Sequence, residues 1–523
     1  MSLEEDLSLA EVIGRGRSGE VSKLVDSEGK VLAGKVFIGD SATKVIHHLI
    51  SGAPNPYGWN EDAILCAYHR RKILEPLCEY WFNDKLRVAV AHSTPWNEEH
   101  DAFELRTEFI DGRHAALKHP FSSKDEVELS DLVNNIMKPL QEILIESGFD
   151  GLVWQAGKGN PVAANNFMVE ENDGSKNWVW IDLESGVPAL IPLNPLTLFS
   201  FYIPASIKHR RLLFDDVDIE KLLSYVKSNM DGLVDKIGEE RYISIIEDIN
   251  KLRSHQRNWK SMSRAENGIE YQLRTGKIEQ RNADFYREHQ YFWYARESAR
   301  YAWTVYNKVL GELPWNIFER LCLVDYKKLF FDALKFIGSQ KFRTKVAKEY
   351  VEKRIAEWNE RGALSDNEAE QLLGELKSDS ASSYITDFFV HIALNGISKS
   401  CQFGVLPLLY LHHDVSGETL FNGIMFGGGA TRFVYSSGRF VQSAVKGEEK
   451  PWIALGMSIM PKVGNLAYPI QMTYSAKKEA NSLARFIAYD TVTIMGCKIP
   501  IWGGNDTLTE HFFNRIADRF FGN

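Results

Sequence analysis

Residues 14–37 read GRGRSGEVSKLVDSEGKVLAGKVF, and this stretch decides the fold of the first part of the chain. It holds the pattern Gly14-x-Gly16-x-x-Gly19 between two strand-like segments. Glycine has no Cβ, so the backbone of such a turn can come close to phosphate groups. The pattern alone is weak, because it also marks dinucleotide-binding folds, in which a helix follows at once. Here Val21 and another strand-like segment follow, which indicates a phosphate-covering hairpin.

Three polar residues further along the chain suggest the same chemistry. Lys35 stands in the apolar, strand-like LAGKVF, one hairpin after the glycines. Asn166 precedes three apolar residues and a turn, and the next apolar, strand-like segment, WVWIDL, contains Asp182. Asn166 and Asp182 offer oxygen atoms, the ligands that Mg²⁺ prefers. Each residue alone is unremarkable, and a lone strand lysine is usually a surface residue. Their combined spacing predicts a nucleotide–metal site.

These motifs resemble the protein-kinase-like superfamily over residues 9 to about 190, a third of the chain. The likeness is closer to the atypical bacterial branches, which include lipopolysaccharide-type, aminoglycoside and choline kinases and UbiB-type proteins. IDLESG (181–186) resembles the Asp-aromatic-Glu signature of small-molecule kinases, because Glu184 stands where Asp-Phe-Gly has glycine. QAGKGNPVAANNF (155–167) is faintly similar to the Ala-Asp-Pro-His-Pro-Gly-Asn loop of UbiB-type proteins.

The resemblance implies a role for each matching residue. ATP would lie under Gly14, Gly16, Gly19 and Val21, and Lys35 would hold its α- and β-phosphates. A glutamate of the helix expected over 60–82 would pair with Lys35. Glu61 is preferred for this role and Glu75 is the alternative. Backbone groups of 108–110, in particular Glu108 and Ile110, would face the adenine, and Asn166 and Asp182 would bind Mg²⁺. We count Lys35, Glu61, Asn166 and Asp182 as the catalytic set.

The loop before Asn166 departs from the family. A kinase loop begins with His-x-Asp, whereas this one begins with Trp154-Gln155-Ala156. Phosphoryl transfer depends mainly on positioning and charge stabilisation, so the loss need not abolish it. A neutral Gln155 is nevertheless a poor base. Asp150 could replace it only if the loop folds back, and Lys158 could stabilise a transferred phosphoryl group. The nucleotide cradle is present and the proton acceptor is missing.

Composition limits the remaining possibilities. A chain of 523 residues is too long for one core, and its net charge of −9 argues against a general nucleic-acid binder. The five cysteines are scattered and form no CxxC, which suits a reducing compartment and supports neither a zinc site nor disulfides. The acidic N-terminus lacks the apolar segment of a signal peptide. We therefore expect a cytoplasmic protein.

The predicted architecture is α+β. A bilobal kinase-like domain over 1–205, with lobes at about 1–112 and 113–205, precedes a helical region (206–380) and an apolar, Gly-rich domain (381–523). The apolar segments of that last domain run to about 11–14 residues, short of the roughly 20 that span a bilayer. A compact soluble domain is favoured there, and attachment to the inner membrane surface is the alternative.

The function expected from these features is ATP- and Mg²⁺-dependent phosphotransfer to a lipid, glycan, small molecule or protein. Two alternatives stay open. One is a nucleotide-binding pseudokinase that acts as a regulatory or scaffolding module, and the other is transfer of AMP.

Overall fold

The protein, described here by a computed structural model, is of mixed α+β type, with strands first and helices after them. Two compact units are present, one formed by Met1–Ala115 with Val127–Phe318 and the other by Ala116–Glu126 with Glu319–Asn523. The residues described are 11–15, 19–26, 28–39, 41–115, 127–160, 163–172, 175–184, 198–209, 215–307, 326–360, 362–378, 385–386, 388–390, 406, 409, 416–447, 450–458, 471 and 482–497.

An antiparallel sheet opens the first unit. Its strands are β1 (Glu11–Arg15), β2 (Glu20–Val25), β3 (Val31–Val36), β5 (Ala91–Ser93), β6 (Trp96–Asn97) and β7 (Ala102–Glu108). They run in the order β1-β2-β3-β7-β5, and β6 also pairs with β7. The Gly-rich turn therefore joins two neighbouring antiparallel strands, which confirms the hairpin predicted from residues 14–37.

A smaller sheet of three strands is formed by β4 (Leu86–Val88), β8 (Phe167–Asn172) and β9 (Ser175–Trp180). Within this sheet the strand order is β4-β9-β8. β8 and β9 form the predicted hairpin, and β4 pairs with β9 in parallel. The strand-like stretch LRVAVAHST (86–94) does not form a single strand. It instead gives β4 to this sheet and β5 to the larger one, with Ala89 and Val90 between.

The central helix of the first unit is α2 (Glu61–Phe82), which confirms the helix predicted over 60–82. Asn60 caps it by accepting a hydrogen bond from the Ala63 N–H at 2.9 Å. One side packs on the larger sheet in a cluster that includes Ile64 and Leu105. Another side lies along α8 (Glu239–Ser261). Because α2 is covered on both sides, a charged residue within it needs a partner.

The other helices of the first unit surround these elements. They are α1 (Ser41–Ser51), α3 (Val127–Asp131), α4 (Lys138–Ser147), α5 (Ile203–His209), α6 (Ile219–Ser228), α7 (Met230–Ile237), α9 (Arg264–Arg274), α10 (Gln280–Glu288) and α11 (Gln290–Tyr306). The helical region predicted over 206–380 is thus divided. Its helices up to Tyr306 belong to the first unit, and those from Tyr326 onward belong to the second.

The second unit is helical where it is described, with α12 (Tyr326–Gly338), α13 (Gln340–Glu360), α14 (Asp366–Lys377), α15 (Gly417–Lys446), α16 (Trp452–Ser458) and α17 (Ser482–Cys497). Ser365 and Glu368 form a capping box at the start of α14. Trp358, Leu372 and Phe486 lie in its buried core. Within the described ranges, no helix combines the length and the apolar character needed to cross a bilayer.

Candidate functional site

The site is centred on an ion pair between two of the predicted residues. Lys35 lies in β3, opposite Val21 of β2 and Leu105 of β7. Asp182 lies two residues beyond β9. The Lys35 Nζ donates to Asp182 Oδ1 at 2.7 Å, and 147 positions separate them in the sequence. The lysine side chain is 12% exposed and the aspartate side chain 31%. The ammonium group is therefore largely enclosed, while the carboxylate remains accessible.

Asn166 is brought to the same place by the start of β8. Its backbone oxygen accepts hydrogen bonds from the N–H of Ile181 at 2.8 Å and, more weakly, of Asp182 at 3.5 Å. Its side-chain Nδ2 donates to the backbone oxygen of Gln155 at 2.9 Å and to Gln155 Oε1 at 3.1 Å. Within the described ranges, Asn166 Oδ1 accepts no hydrogen bond. That oxygen is the atom left for a cation.

Two buried residues beside Asn166 and Asp182, Gln155 and Glu184, also belong to the site. Neither was predicted as a site residue. Gln155 is 7% exposed, and its Nε2 donates to the backbone oxygen of Glu184 at 2.7 Å. The Glu184 side chain receives two bonds of 2.8 Å from Arg71 of α2. Both of these side chains are 1% exposed. Burial favours the neutral carboxyl, but the Arg71 charge outweighs it, so the pKa of Glu184 lies below its ordinary value.

Arg71 anchors more than one part of the site. Its Nη1 donates to the Ala89 backbone oxygen at 3.1 Å, and its Nη2 donates to the Ile181 oxygen at 2.8 Å. With the two bonds to Glu184, these acceptors take four of the five N–H donors of the guanidinium group. The helix α2 is thereby tied to the segment that carries Asp182.

The predicted pairing of Lys35 with a glutamate of α2 is not met in this structure. Glu61 is exposed in the first turn of α2, where an acidic side chain suits the helix dipole. The alternative, Glu75, pairs with Arg241 of α8 at 2.9 Å. Lys35 pairs with Asp182 instead. α2 instead contributes a positive charge to this site, because its Arg71 pairs with Glu184.

The Gly-rich turn is described in part. Gly14 faces Val21 across the β1–β2 pair, and Val21 itself faces Lys35. Gly16 lies outside the described residues. A Cβ on Gly19 would come within 2.2 Å of the Val36 backbone oxygen, so only glycine fits this close approach of β2 to β3. The turn therefore leads from β1 into β2, and β2 carries Val21 opposite Lys35 of β3.

The two residues predicted to face the adenine, Glu108 and Ile110, differ in whether their backbone N–H is already hydrogen-bonded. The side chain of Glu108 pairs with Arg87 and accepts from the Val90 N–H at 2.8 Å, and its own N–H donates to the Val90 oxygen at 2.9 Å. Glu108 is thus committed to structure by its side chain and its N–H, which makes it a poor donor to a base. Ile110 packs with Ala89 and Val179. In the described part of the chain its backbone N–H has no acceptor.

Asp150, the substitute considered for the missing base, and Lys158, considered for stabilising a transferred phosphoryl group, both lie elsewhere. Asp150 Oδ2 accepts from Lys208 at 3.2 Å, and Lys208 also pairs with Asp218 at 2.9 Å. The Lys158 Nζ lies over the Phe201 ring, 5.2 Å from its centre. Neither residue contacts Lys35 or Asp182 through any interaction found among the described residues.

The donor set fits magnesium. In the described ranges no group of three or more His, Cys, Asp or Glu side chains could hold a metal ion. Asp182 and the Oδ1 of Asn166 are oxygen atoms of the kind that Mg²⁺ prefers, and Mg²⁺ in nucleotide sites typically takes one or two protein ligands together with phosphates. The chain matches no protein-family model, and no curated protein matches it.

Proposed function

We propose that the first unit is a kinase-like domain that binds ATP with Mg²⁺ and transfers a phosphoryl group. The observation that carries the proposal is the 2.7 Å pair of Lys35 and Asp182, formed across 147 positions, with Asn166 bonded beside it. A cation on the strand next to a Gly-rich hairpin, together with a carboxylate and an amide oxygen, provides the parts that phosphoryl transfer uses. The acceptor belongs to one of four classes: lipid, glycan, small molecule or protein.

Each residue has a task in this proposal. Lys35 binds phosphate oxygens, and Asp182 and Asn166 hold Mg²⁺, which when bound neutralises charge on the phosphates. Val21, Ile110 and the half-buried Met168 and Ile181 offer an apolar surface for the base. The larger sheet with α2 would be one lobe. The β8–β9 hairpin, together with α3 and α4, would belong to the other.

A nucleotide-binding pseudokinase is the second candidate, and Gln155 favours it. An amide is not a base near neutral pH, and both of its polar atoms are already hydrogen-bonded inside the protein. A protein with this loop can hold a nucleotide without a group that accepts the proton of an attacking hydroxyl. AMP transfer would use the same metal site.

Calorimetric titration of ATP with Mg²⁺ into the full chain tests the proposal. Lys35→Met and Asp182→Asn should each abolish measurable binding. Two exposed residues of matched charge provide controls, because Lys30→Met and Asp101→Asn change charge away from the site and should bind like the wild type. A folded wild-type chain that binds no ATP would reject the proposal. If ATP binds, the label transferred from γ- or α-labelled ATP separates phosphoryl transfer, AMP transfer and simple binding.

Attachment of residues 381–523 to a membrane surface is a further proposal. On α15, Val434, Val441 and Val445 are between 61% and 82% exposed. Apolar side chains spaced seven and four apart lie along one side of a helix. Sedimentation with vesicles of anionic lipid tests it: recovery in the pellet, reduced by Val441→Asp, is expected, and full recovery in the supernatant would contradict it.

A further inference from the structure

We propose that Gln155 is a positioning residue of the nucleotide site, which sets the orientation of the Asn166 amide toward the cation. The inference rests on the proposed function and deepens it. It assigns a task to the one loop position where the chain departs most clearly from a working phosphotransferase.

The amide of Asn166 is held by two acceptors on a single residue. Its Nδ2 carries two hydrogens, and these go to the backbone oxygen and the Oε1 of Gln155, at 2.9 and 3.1 Å. Rotating the amide by half a turn would place Oδ1 against both oxygens. Gln155 therefore keeps Oδ1 on the opposite side, where it is available to a cation. A residue without a side-chain acceptor would leave only the backbone bond to oppose the rotation.

Gln155 also ties this amide to the chain beyond Asp182. Its Nε2 donates to the backbone oxygen of Glu184 at 2.7 Å, and Arg71 holds the Glu184 side chain through two bonds. The backbone oxygen of Asn166 in turn accepts from the Asp182 N–H. Hydrogen bonds thus connect the Asn166 amide, through Gln155, to the backbone segment that carries Asp182. Such support of metal ligands commonly changes metal affinity by about 10–100-fold.

The position requires a side chain that offers one acceptor and one donor, and an amide offers both at any pH. One atom must accept from Asn166, and the other must donate to a carbonyl oxygen 2.7 Å away. A carboxylate can do the first but would repel the Glu184 oxygen. A protonated carboxyl can do both, and burial raises the pKa of a carboxyl group. A Gln155→Glu variant should therefore work better at low pH, which a purely space-filling role would not produce.

The experiment compares ATP affinity with Mg²⁺ and with EDTA, in the full chain, by calorimetry. Gln155→Met keeps the side-chain length and should lower the Mg²⁺-dependent affinity by about 10–100-fold, with affinity in EDTA unchanged. At pH 8, Gln155→Glu should show the same loss of affinity relative to the wild type at that pH. At pH 6 its affinity should return toward that of the wild type at pH 6. Gln141→Ala is the matched control, because Gln141 also bonds the loop, at the Ala156 oxygen, without touching Asn166.

The outcomes separate this inference from the proposed function. If the wild type binds ATP in neither condition, both are rejected. If it binds but Gln155→Met matches Gln141→Ala, or loses affinity equally with and without Mg²⁺, only the positioning role is rejected. Unfolding curves of each variant show whether a loss reflects misfolding. If Gln155→Met is misfolded, the pH dependence of ATP affinity in Gln155→Glu decides whether Gln155 has the positioning role.

Discussion

Arg71 is a fully buried cation in the middle of a helix, and its environment explains why it is tolerated. Two carboxylate oxygens and two backbone oxygens surround the guanidinium group. Removing a charge from water costs several kcal/mol, and an ion pair of good geometry with additional hydrogen bonds offsets that cost. Each partner therefore becomes destabilising when the other is removed.

The first prediction concerns this pair. Glu184→Ala and Arg71→Met should each lower the free energy of unfolding by about 3–5 kcal/mol, because each leaves an uncompensated buried charge or carboxylate. The double variant should lose less than the sum. Urea unfolding measures all three, and Glu220→Ala, which breaks the exposed pair with Arg253, should cost no more than about 1 kcal/mol. A loss that small in the Glu184 variant would contradict the prediction.

The second prediction concerns His48 of α1. Burial, with the nearby charges of Arg300 and Lys277, lowers the pKa of His48 to about 4. The unfolded chain binds this proton near pH 6.5 and the folded chain does not, so stability is full above that pH and falls as the pH drops toward 4. The variant His48→Phe keeps a ring against Tyr271 and Tyr301 and removes the titration. Its stability should fall less steeply than that of the wild type between pH 6.5 and 4, as measured by urea unfolding. Equal slopes would contradict the prediction.

At the scale of elements, residues 86–93 join the two sheets of the first unit. Arg87 of β4 strengthens the junction, because it pairs with Glu108 at the end of β7 and with Glu170 of β8. The chain then crosses to β5 through Ala89 and Val90, both of which are bonded to neighbouring strands. A kinase-like cleft between these sheets would therefore be braced beside the Glu108 backbone.

The third prediction tests this brace. Arg87→Met should cost about 1 kcal/mol and speed amide hydrogen exchange in β4 and β8, because the side chain is half-buried and its two carboxylate partners lie on different sheets. Arg113→Met is the control. Arg113 also pairs with two glutamates, Glu128 and Glu171, and should change exchange near α3 and the β8–β9 hairpin only. Exchange in β4 that is the same in both variants would reject the brace.

Some features at this scale depend on local sequence alone and can be recognised there. Gly148 ends α4 with a positive φ of 94°, and the Ser365–Glu368 box starts α14, because both depend on a few adjacent residues. The pair of Arg71 and Glu184 spans 113 positions, so spacing could not reveal it. The sequence did contain one indication that Arg71 is buried. Arg71 follows Ile64 by two helical turns, so its charge lies in the apolar stripe of α2 and needs a partner there.

The candidate site shows the same division. Lys35, Asn166 and Asp182 were identified because glycines and apolar strands mark their places in the sequence. Gln155 was interpreted only as a missing base, because its proposed positioning role depends on the Asn166 amide and the Glu184 backbone oxygen, whose places follow from the fold. Glu61 was assigned because kinases pair the strand lysine with a glutamate of this helix. In this structure the buried charge that α2 contributes to the site is that of Arg71.

At the scale of the whole molecule, each unit has a core of its own. The sequence showed a run of helices after residue 206, and amphipathic spacing cannot tell which core a helix joins. α8 packs on α2 through pairs such as His69–Asp248, at 2.8 Å, while α13 and α14 pack in the second unit. The predicted boundaries at 205 and 380 were drawn from composition, which does not follow these contacts.

The last prediction separates the two units through Asp490. This residue of α17 is 3% exposed, and its Oδ1 accepts from Trp358 Nε1 at 2.8 Å and from Arg354 Nη2 at 2.6 Å. Asp490→Ala leaves a largely buried guanidinium and an indole N–H without this acceptor, so the second unit should lose about 3–5 kcal/mol. Asp490→Asn keeps an oxygen for Trp358 and should cost less.

Hydrogen exchange measured peptide by peptide, with and without ATP and Mg²⁺, provides the readout. In Asp490→Ala, protection should fall in α13 and α17, while α2 and β3 keep theirs and ATP affinity stays that of the wild type. Saturating ATP at 100 times its dissociation constant should stabilise the first unit by about 2.7 kcal/mol. Glu184→Ala should show the reverse pattern, with protection lost around α2 and kept in α13. Loss of ATP binding in a folded Asp490→Ala protein would mean that the core of the second unit is needed to hold the Lys35–Asp182 site in place.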